Sequence, residues 1–388
     1  MPDGREEIRV EVVSRIAEIP AADWDACAGG KNPFVSHAFL NALEVSGSVS
    51  ERTGWGPQHL VVRNESGRIE ACMPAYLKSH SNGEYVFDWG WADAYDRAGG
   101  SYYPKLQCAV PFTPATGPRL LVREGAEDRY YDILIAGAVQ LAQERKVSSL
   151  HVTFPTKGEF ERLGAAGFLQ REGKQFHWDN RGYNTFDDFL AQLSSRKRKA
   201  IRKERREVTD AGVTLHRLTG KDITEAHWDS FYRYYRSTID ARTWGRAYLN
   251  RKFFSILGET FSDMVLLVFA EYGGEYIGGA LNLIGEDTLF GRNWGCTKDV
   301  KFLHFEACYY QAIEFAIERK LSWVEAGAQG EHKIQRGYLP RETYSAHWIA
   351  DPRFSDAVAR FLAQERKEND RVIDALMEFS PYRKIGED

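Results

Sequence analysis

Gly167–Trp178 reads GFLQREGKQFHW, and Gly337–Trp348 reads GYLPRETYSAHW. Six of the twelve positions are identical, including the closing His177-Trp178 and His347-Trp348. So dense a match within one chain predicts that a single supersecondary plan is used twice. Outward from it, AQERKVSSLHV (142–152) lines up with AIERKLSWVEA (316–326), and DWG (88–90) with NWG (293–295). The matches come in the same order in both halves, at offsets of 170, 174 and 205 residues. The last offset implies 31 extra residues in the first copy, between Trp89 and Ala142. The Gly-, Pro- and Tyr-rich stretch AYDRAGGSYYPKLQCAVPFTPATGPRLLV supplies them, placing an insertion near 95–125.

Hydrophobic periodicity gives both copies the same elements. In the first, IRVEVVSRI is a strand and two short helices follow. HLVVRNE and RIEACMPAYLKS form a hairpin, and GEYVFDWG is a third strand. EDRYYDILIAGAVQLAQERK is a helix, SLHVTF a buried strand, TKGEFERLGAAG a helix and LQREGKQFHW the last strand. In the second, VTLHRL is a strand, two helices follow, and MVLLVFAEY with EYIGGALNLIGE forms a hairpin. TLFGRNWG is a strand, HFEACYYQAIEFAIERK a helix, WVEAGA and RETYSAHWI strands, and a C-terminal helix starts near Phe354. The class is α/β with mixed sheets. One domain is expected over 1–183, a basic helical segment over 184–212, and a second domain over 213–388.

This element order resembles the GNAT acyltransferase fold, and its duplication resembles the FemAB-like family of tandem GNAT-like proteins. That family includes aminoacyl-tRNA-dependent peptidyltransferases and many predicted N-acyltransferases. SSRKRKAIRKERREVTDAGVTLHRL is similar to the family's basic helix leading into a G-V-x-V strand. HKIQRGYLP is similar to its F-K-x-G-F-G turn, with Lys333 at the lysine. The resemblance implies transfer of an acyl or aminoacyl group to an amine.

Composition narrows the classes. The 388 residues carry a formal charge of −4, so the chain as a whole is not a generic polyanion binder. The densest apolar run, Met264–Ala270, is far shorter than the ~20 residues of a membrane span. MPDGREEIRV lacks the apolar core of a signal peptide. The five cysteines are scattered with no C-x-x-C pair, so a reducing cytoplasm is expected. No zinc signature and no G-x-S-x-G is present, which argues against metal and covalent hydrolase chemistry.

Arg196–Arg206 holds eight basic residues and one acid, Glu204. Like charges at helical spacing repel, so something offsets them. Either the acidic remainder of the chain pairs with a solvated helix, or the segment contacts a phosphate-bearing donor or RNA. Arg198, Arg202 and Arg205 share one helix face and are the candidate donor or nucleic-acid contacts.

An acyl-CoA-dependent GNAT presents a Gly-rich loop whose backbone N–H groups cradle the pyrophosphate at a helix N-terminus. CTKDVKFLH (296–304) has no glycine there, and Arg97-Ala-Gly-Gly100 only a degenerate version. The missing loop fits the resemblance, which implies aminoacyl-tRNA, or acyl-CoA held differently, as the co-substrate, with no tightly bound cofactor. Between the splayed fourth and fifth strands of the second copy, the candidate binding residues are Asn293, Trp294, Gln329 and Arg336. Transfer to an amine needs a base and a group that stabilises the oxyanion. Glu331 or His332 is the candidate base, His304 either a base or a helix cap, and Lys333 the electrostatic group. By resemblance the acceptor, a small-molecule or peptide amine, is expected on the first copy at Asp88, Trp89, Asp93, Tyr95 and Lys105. The alternative for those aromatics is packing. The alternative for the whole protein is a non-catalytic GNAT pair that binds RNA or a nucleotide-linked precursor.

Overall fold

The computed structural model describes residues 8–240, 247–327 and 330–383. The first half runs β1 (Arg9–Val13), α1 (Ala21–Ala28), α2 (His37–Val45), β2 (Trp55–Pro57), β3 (His59–Arg63), β4 (Ile69–Met73) and β5 (Ala75–Lys78). It continues α3 (Trp89–Arg97), β6 (Lys105–Cys108), β7 (Leu121–Val122), α4 (Arg129–Glu144), β8 (Ser149–Thr153), α5 (Lys157–Ala165) and β9 (Leu169–Asp179). Two helices, α6 (Phe186–Ala191) and α7 (Ser195–Asp210), lead into the second half. This comprises β10 (Val213–Thr219), α8 (Glu225–Asp240), α9 (Arg251–Phe261), β11 (Val265–Tyr272), β12 (Glu275–Ile284) and β13 (Thr288–Cys296). A one-turn α10 (Leu303–Phe305) passes through a π-helical turn, Glu306–Tyr310, into α11 (Gln311–Glu318). β14 (Trp323–Glu325), a 3-10 turn (Glu331–Arg336), β15 (Leu339–Ile349) and α12 (Pro352–Met377) complete the chain.

Two compact units form, 1–173 with 342–369 and 174–341 with 370–388. The first break, expected at 183, falls instead within β9, and β15 from Glu342 and α12 as far as Asn369 join the first unit. In the second unit β10, β11, β12 and β13 form an antiparallel meander, and β14 lies parallel to β13. β9 lies antiparallel to β14, with Val324 opposite Trp178 and Glu325 opposite His177. In the first unit β15 lies antiparallel to β8, with Trp348 opposite Leu150 and His347 opposite His151. Under the sequence repeat these are the same register. Each half's last strand thus pairs with the partner strand of the other half.

In the first unit β8 runs parallel to β6, and β6, β5 and β2 follow antiparallel. A second sheet has the order β1-β3-β4-β7. Only Pro74 separates β4 from β5, and with no N–H to donate it is where one strand passes from sheet to sheet. Leu134, Ala138 and Leu141 of α4 pack with Leu60, Val62, Leu106 and Val152 in the core. The core of the second unit joins Ile313, Ala316 and Ile317 of α11 to Leu266, Val268 and Val324, with Ile201 of α7. Thr185 and Asp188 form the expected capping box on α6.

One strand is corrected. GEYVFDWG is not β-structure: Trp89 begins helix α3. Trp91, Ala92 and Tyr95 recur at helical spacing and pack with Phe354, Val358 and Leu362 of α12. The strand that runs parallel to its partner as β13 does is β6, which lies inside the interval assigned to the insertion. The extra chain of the first copy therefore includes 79–104, ahead of β6, and DWG at 88–90 is not the counterpart of NWG at 293–295.

Candidate active site

The parallel pairing of β13 and β14 ends at Phe290 and Glu325, while β13 continues to Cys296 against β12. The ladder slips where Leu281 faces Asn293 and Asn282 faces Gly291, so Arg292 is the extra residue of a bulge. A Cβ on Gly291 would meet the Glu325 carbonyl at 3.2 Å, so glycine keeps the strands close just before they part. Past that point lies a cavity of about 90 Å³, lined by Asn293, Trp294, His304, Cys308, Tyr309 and Ala326 among others. Helix α8 braces its outer wall. The Thr238 hydroxyl donates to the Trp294 carbonyl at 3.0 Å, and a Cβ on Gly295 would lie 1.9 Å from the Tyr234 carbonyl.

His304 sits 5.7 Å from the Trp294 ring and 5.3 Å from Tyr309, centroid to centroid. Burial, then the positive charge of His332, Lys333 and Arg336, pushes its pKa down to about 4, so it is neutral at pH 7. Tyr309 comes from the π-helical turn; burial raises its phenol. Its hydroxyl lies 2.9 Å from Nε2 of the exposed His332. A hydrogen-bonded pair thus leads from the cavity to solvent. Sequence reading passed over Tyr309 and Cys308; the signal was their spacing after His304 on a helix that follows the splayed strand.

Lys333 is buried, and its ammonium donates to the Gly327 carbonyl at 2.9 Å. Burial lowers its pKa to about 8, opposed by the nearby Cys308 thiol. Glu331 is exposed. Gln329 lies outside the described residues. Arg336 does not face a substrate space: it is buried, donating to Glu204 and to the His332 carbonyl, both at 2.9 Å, with its guanidinium 3.4 Å over the Phe305 ring.

The three donor-contact candidates on α7 divide. Arg205 is held by Glu306 and Glu314, which raise its pKa against the effect of burial, and Arg202 pairs with Asp187 at 2.8 Å. Lys197 bonds to Gln335. Among the described residues Arg198 has no such partner, nor do Arg196, Lys199 and Arg206.

In the first unit Asp88 and Lys105 are not open to a ligand. The Lys105 ammonium is fully buried and donates to Asp88, to Glu84 at 2.6 Å and to Ser81 at 2.8 Å. Against its burial, Lys105 and His151 hold the Asp88 carboxyl well below the usual carboxylate range. The Tyr102 hydroxyl and the His151–His347 pair complete a closed network. Burial excludes these groups from substrate, so they are structural. Tyr95 packs on Phe354 at 4.5 Å. Trp89 is 48% exposed, stacked on Phe87 at 5.0 Å, and Asp93 is exposed.

A family model described as peptidoglycan biosynthesis/recognition matches residues 15–384. The chain belongs to the FemAB-like family. Among solved structures, FemX is similar at 11% identity and a TM-score of 0.56, covering 88% of this chain and 98% of that one. L-PGS from Bacillus licheniformis matches at 10% identity and TM-score 0.51, covering 83% and 95%. A conserved protein of unknown function from Bacteroides thetaiotaomicron matches at 12% and 0.52, covering 88% and 100%. These likenesses concern the fold, as two mixed α/β units with GNAT-like order. Comparison with curated proteins gave no match. Among the described residues no helix is long and apolar enough to cross a membrane, and no group of three or more His, Cys, Asp or Glu is arranged to hold a metal ion.

Proposed function

We propose that this FemAB-like protein transfers a short acyl or aminoacyl group to an amine, with the reacting carbonyl in the cavity between β13 and β14. The observation that carries the reading is the Tyr309–His332 pair, 2.9 Å apart, joining that cavity to solvent. The acceptor nitrogen attacks the carbonyl carbon, and its proton passes by way of the Tyr309 hydroxyl to His332. As the tetrahedral intermediate collapses, the bond to the donor's oxygen or sulfur breaks, and Tyr309 returns a proton to that leaving atom. Lys333, charged below about pH 8, supplies positive potential beside Cys308 on the cavity wall.

An aminoacyl-tRNA donor is favoured over acyl-CoA. Cys296–His304 offers no glycine-built pyrophosphate cradle, whereas α7 presents Arg196, Arg198, Lys199 and Arg206 without carboxylate partners among the described residues. No tightly bound cofactor takes part. The family description supports an amine of a peptidoglycan precursor as the acceptor.

The test offers aminoacyl-tRNA and acyl-CoA in parallel with an amine acceptor and reads transfer by mass spectrometry. Transfer is expected, and Tyr309→Phe should lower turnover about 10²-fold or more. Undiminished turnover in that variant would discard the proton path. RNA binding without transfer from either donor would establish the non-catalytic alternative.

A further inference from the structure

Glu204 and Arg205 are neighbours on α7, and both reach the supports of the cavity. Arg205 donates through Nε and Nη2 to Glu306, at 3.1 and 3.0 Å, and through Nη1 and Nη2 to Glu314, at 2.7 and 3.0 Å. Gln311 binds the same Glu306 carboxylate at 2.7 Å. Glu204 accepts from the Tyr310 hydroxyl and from Arg336 Nη2. Arg336 in turn donates through Nη1 to the main-chain carbonyl of His332. Thus α7 grips the π-helical turn from outside at Glu306 and Tyr310, while Tyr309, between them, faces the cavity. Through Arg336 the same helix holds the turn that carries His332.

A π-helical turn inserts a residue into a helix, is uncommon, and concentrates at functional sites. Here it lets Tyr309 and Cys308 both face the cavity while Glu306 and Tyr310 face α7. An external restraint holds this turn. The rigid guanidinium fork of Arg205, engaging two carboxylates at once, supplies one that an ammonium does not. Without it Glu306, only 4% exposed, is a buried carboxylate short of its cation, and the turn has reason to relax.

We propose that Glu204 and Arg205 are positioning residues that set Tyr309 and His332 against each other at the cavity, so that the basic helix is scaffold to the reacting site as well as a charged surface. The proposal rests on the reading of Tyr309–His332 as the proton path. It assigns Arg205 inward and leaves donor contact to Arg196, Arg198, Lys199 and Arg206.

The test uses the full chain with Glu204→Gln, Arg205→Gln and Arg205→Lys. One readout is kcat against KM for transfer. The other, independent of transfer, is the NMR titration of the His332 imidazole, which faces His304, Lys333 and Arg336. A displacement near 1 Å costs about 10²-fold, so Arg205→Gln should lower kcat by that order with KM unchanged, and Arg205→Lys should restore only part. Glu204→Gln leaves the Arg336 charge uncompensated, so His332 should titrate at lower pH and the acid limb of the kcat profile should move with it. Unaltered kcat and an unaltered His332 titration in Glu204→Gln would overturn the proposal, even if Arg205→Gln failed to fold. A wild type that transfers nothing would refute the proposed function, and an unaltered His332 titration in Glu204→Gln would then by itself overturn the positioning role.

Discussion

His151 and His347 face each other with their Nδ1 atoms 2.6 Å apart. Only one proton fits between them, so one ring donates and the other accepts, and burial keeps both neutral at pH 7. Their Nε2 atoms are engaged by Ser149 at 2.7 Å and Ser345 at 2.9 Å. The two histidines come from separate halves of the chain, and the pair fastens the exchanged strand β15 to β8.

Acid should therefore loosen the fold. Burial depresses the His151 pKa to about 3 and that of His347 well below 6.5. Below pH 6.5 the unfolded chain takes up protons that the native state refuses, so stability falls as pH drops from about 6.5 towards 3. Each histidine contributes up to about 1.4 kcal/mol per pH unit in that window. Urea midpoints measured from pH 7 to 4.5 should follow this slope, and His347→Asn should flatten it by about one proton. A variant with the wild-type slope would show that the pair does not govern acid sensitivity.

Lys333→Met should lower turnover about 10²- to 10³-fold while the melting temperature holds or rises, since a buried ammonium is replaced by an apolar stem. Because the native pKa is about 8, wild-type turnover should fall as pH rises through that value. Wild-type stability should rise between pH 8 and the unfolded value of about 10.4, where only the unfolded chain still binds the proton. The Lys333→Met variant should show neither trend. Near-full activity in the variant would make Lys333 a structural residue.

The outward face of α7 should bind polyanion through the cations that have no carboxylate beside them among the described residues. Replacing Arg196, Arg198 and Lys199 with Gln should weaken tRNA binding and reduce its salt slope by roughly 0.7–0.9 for each phosphate no longer neutralised. Arg205→Gln should leave that slope unchanged, because Glu306 and Glu314 already neutralise its charge. Equal slopes for the triple variant and the wild type would return the helix to a solvated face.

What the sequence by itself determined was local or repeated. The duplication, the two β-hairpins, the capped helix α6 and the basic helix follow from hydrophobic period, capping residues and internal matches, which need no knowledge of distant neighbours, and the turn around Lys333 from its resemblance to the family's motif. Tertiary structure decided the rest. DWG and NWG share letters, but the aromatic spacing from Trp89 to Tyr95 packs as a helix against α12, so the first is no strand. Asp88 and Lys105 read as exposed recognition groups until packing closed them on each other and on Glu84. Arg205 reads like Arg198 along the helix, and only carboxylates 101 and 109 residues away, placed by the π-helical turn and α11, separate the structural cation from the outward one. The exchange of β9 and β15 was invisible for the same reason. A strand's side-chain pattern fixes which face is buried, whereas which edge it joins is settled by the hydrogen-bond ladders that the assembled sheets offer.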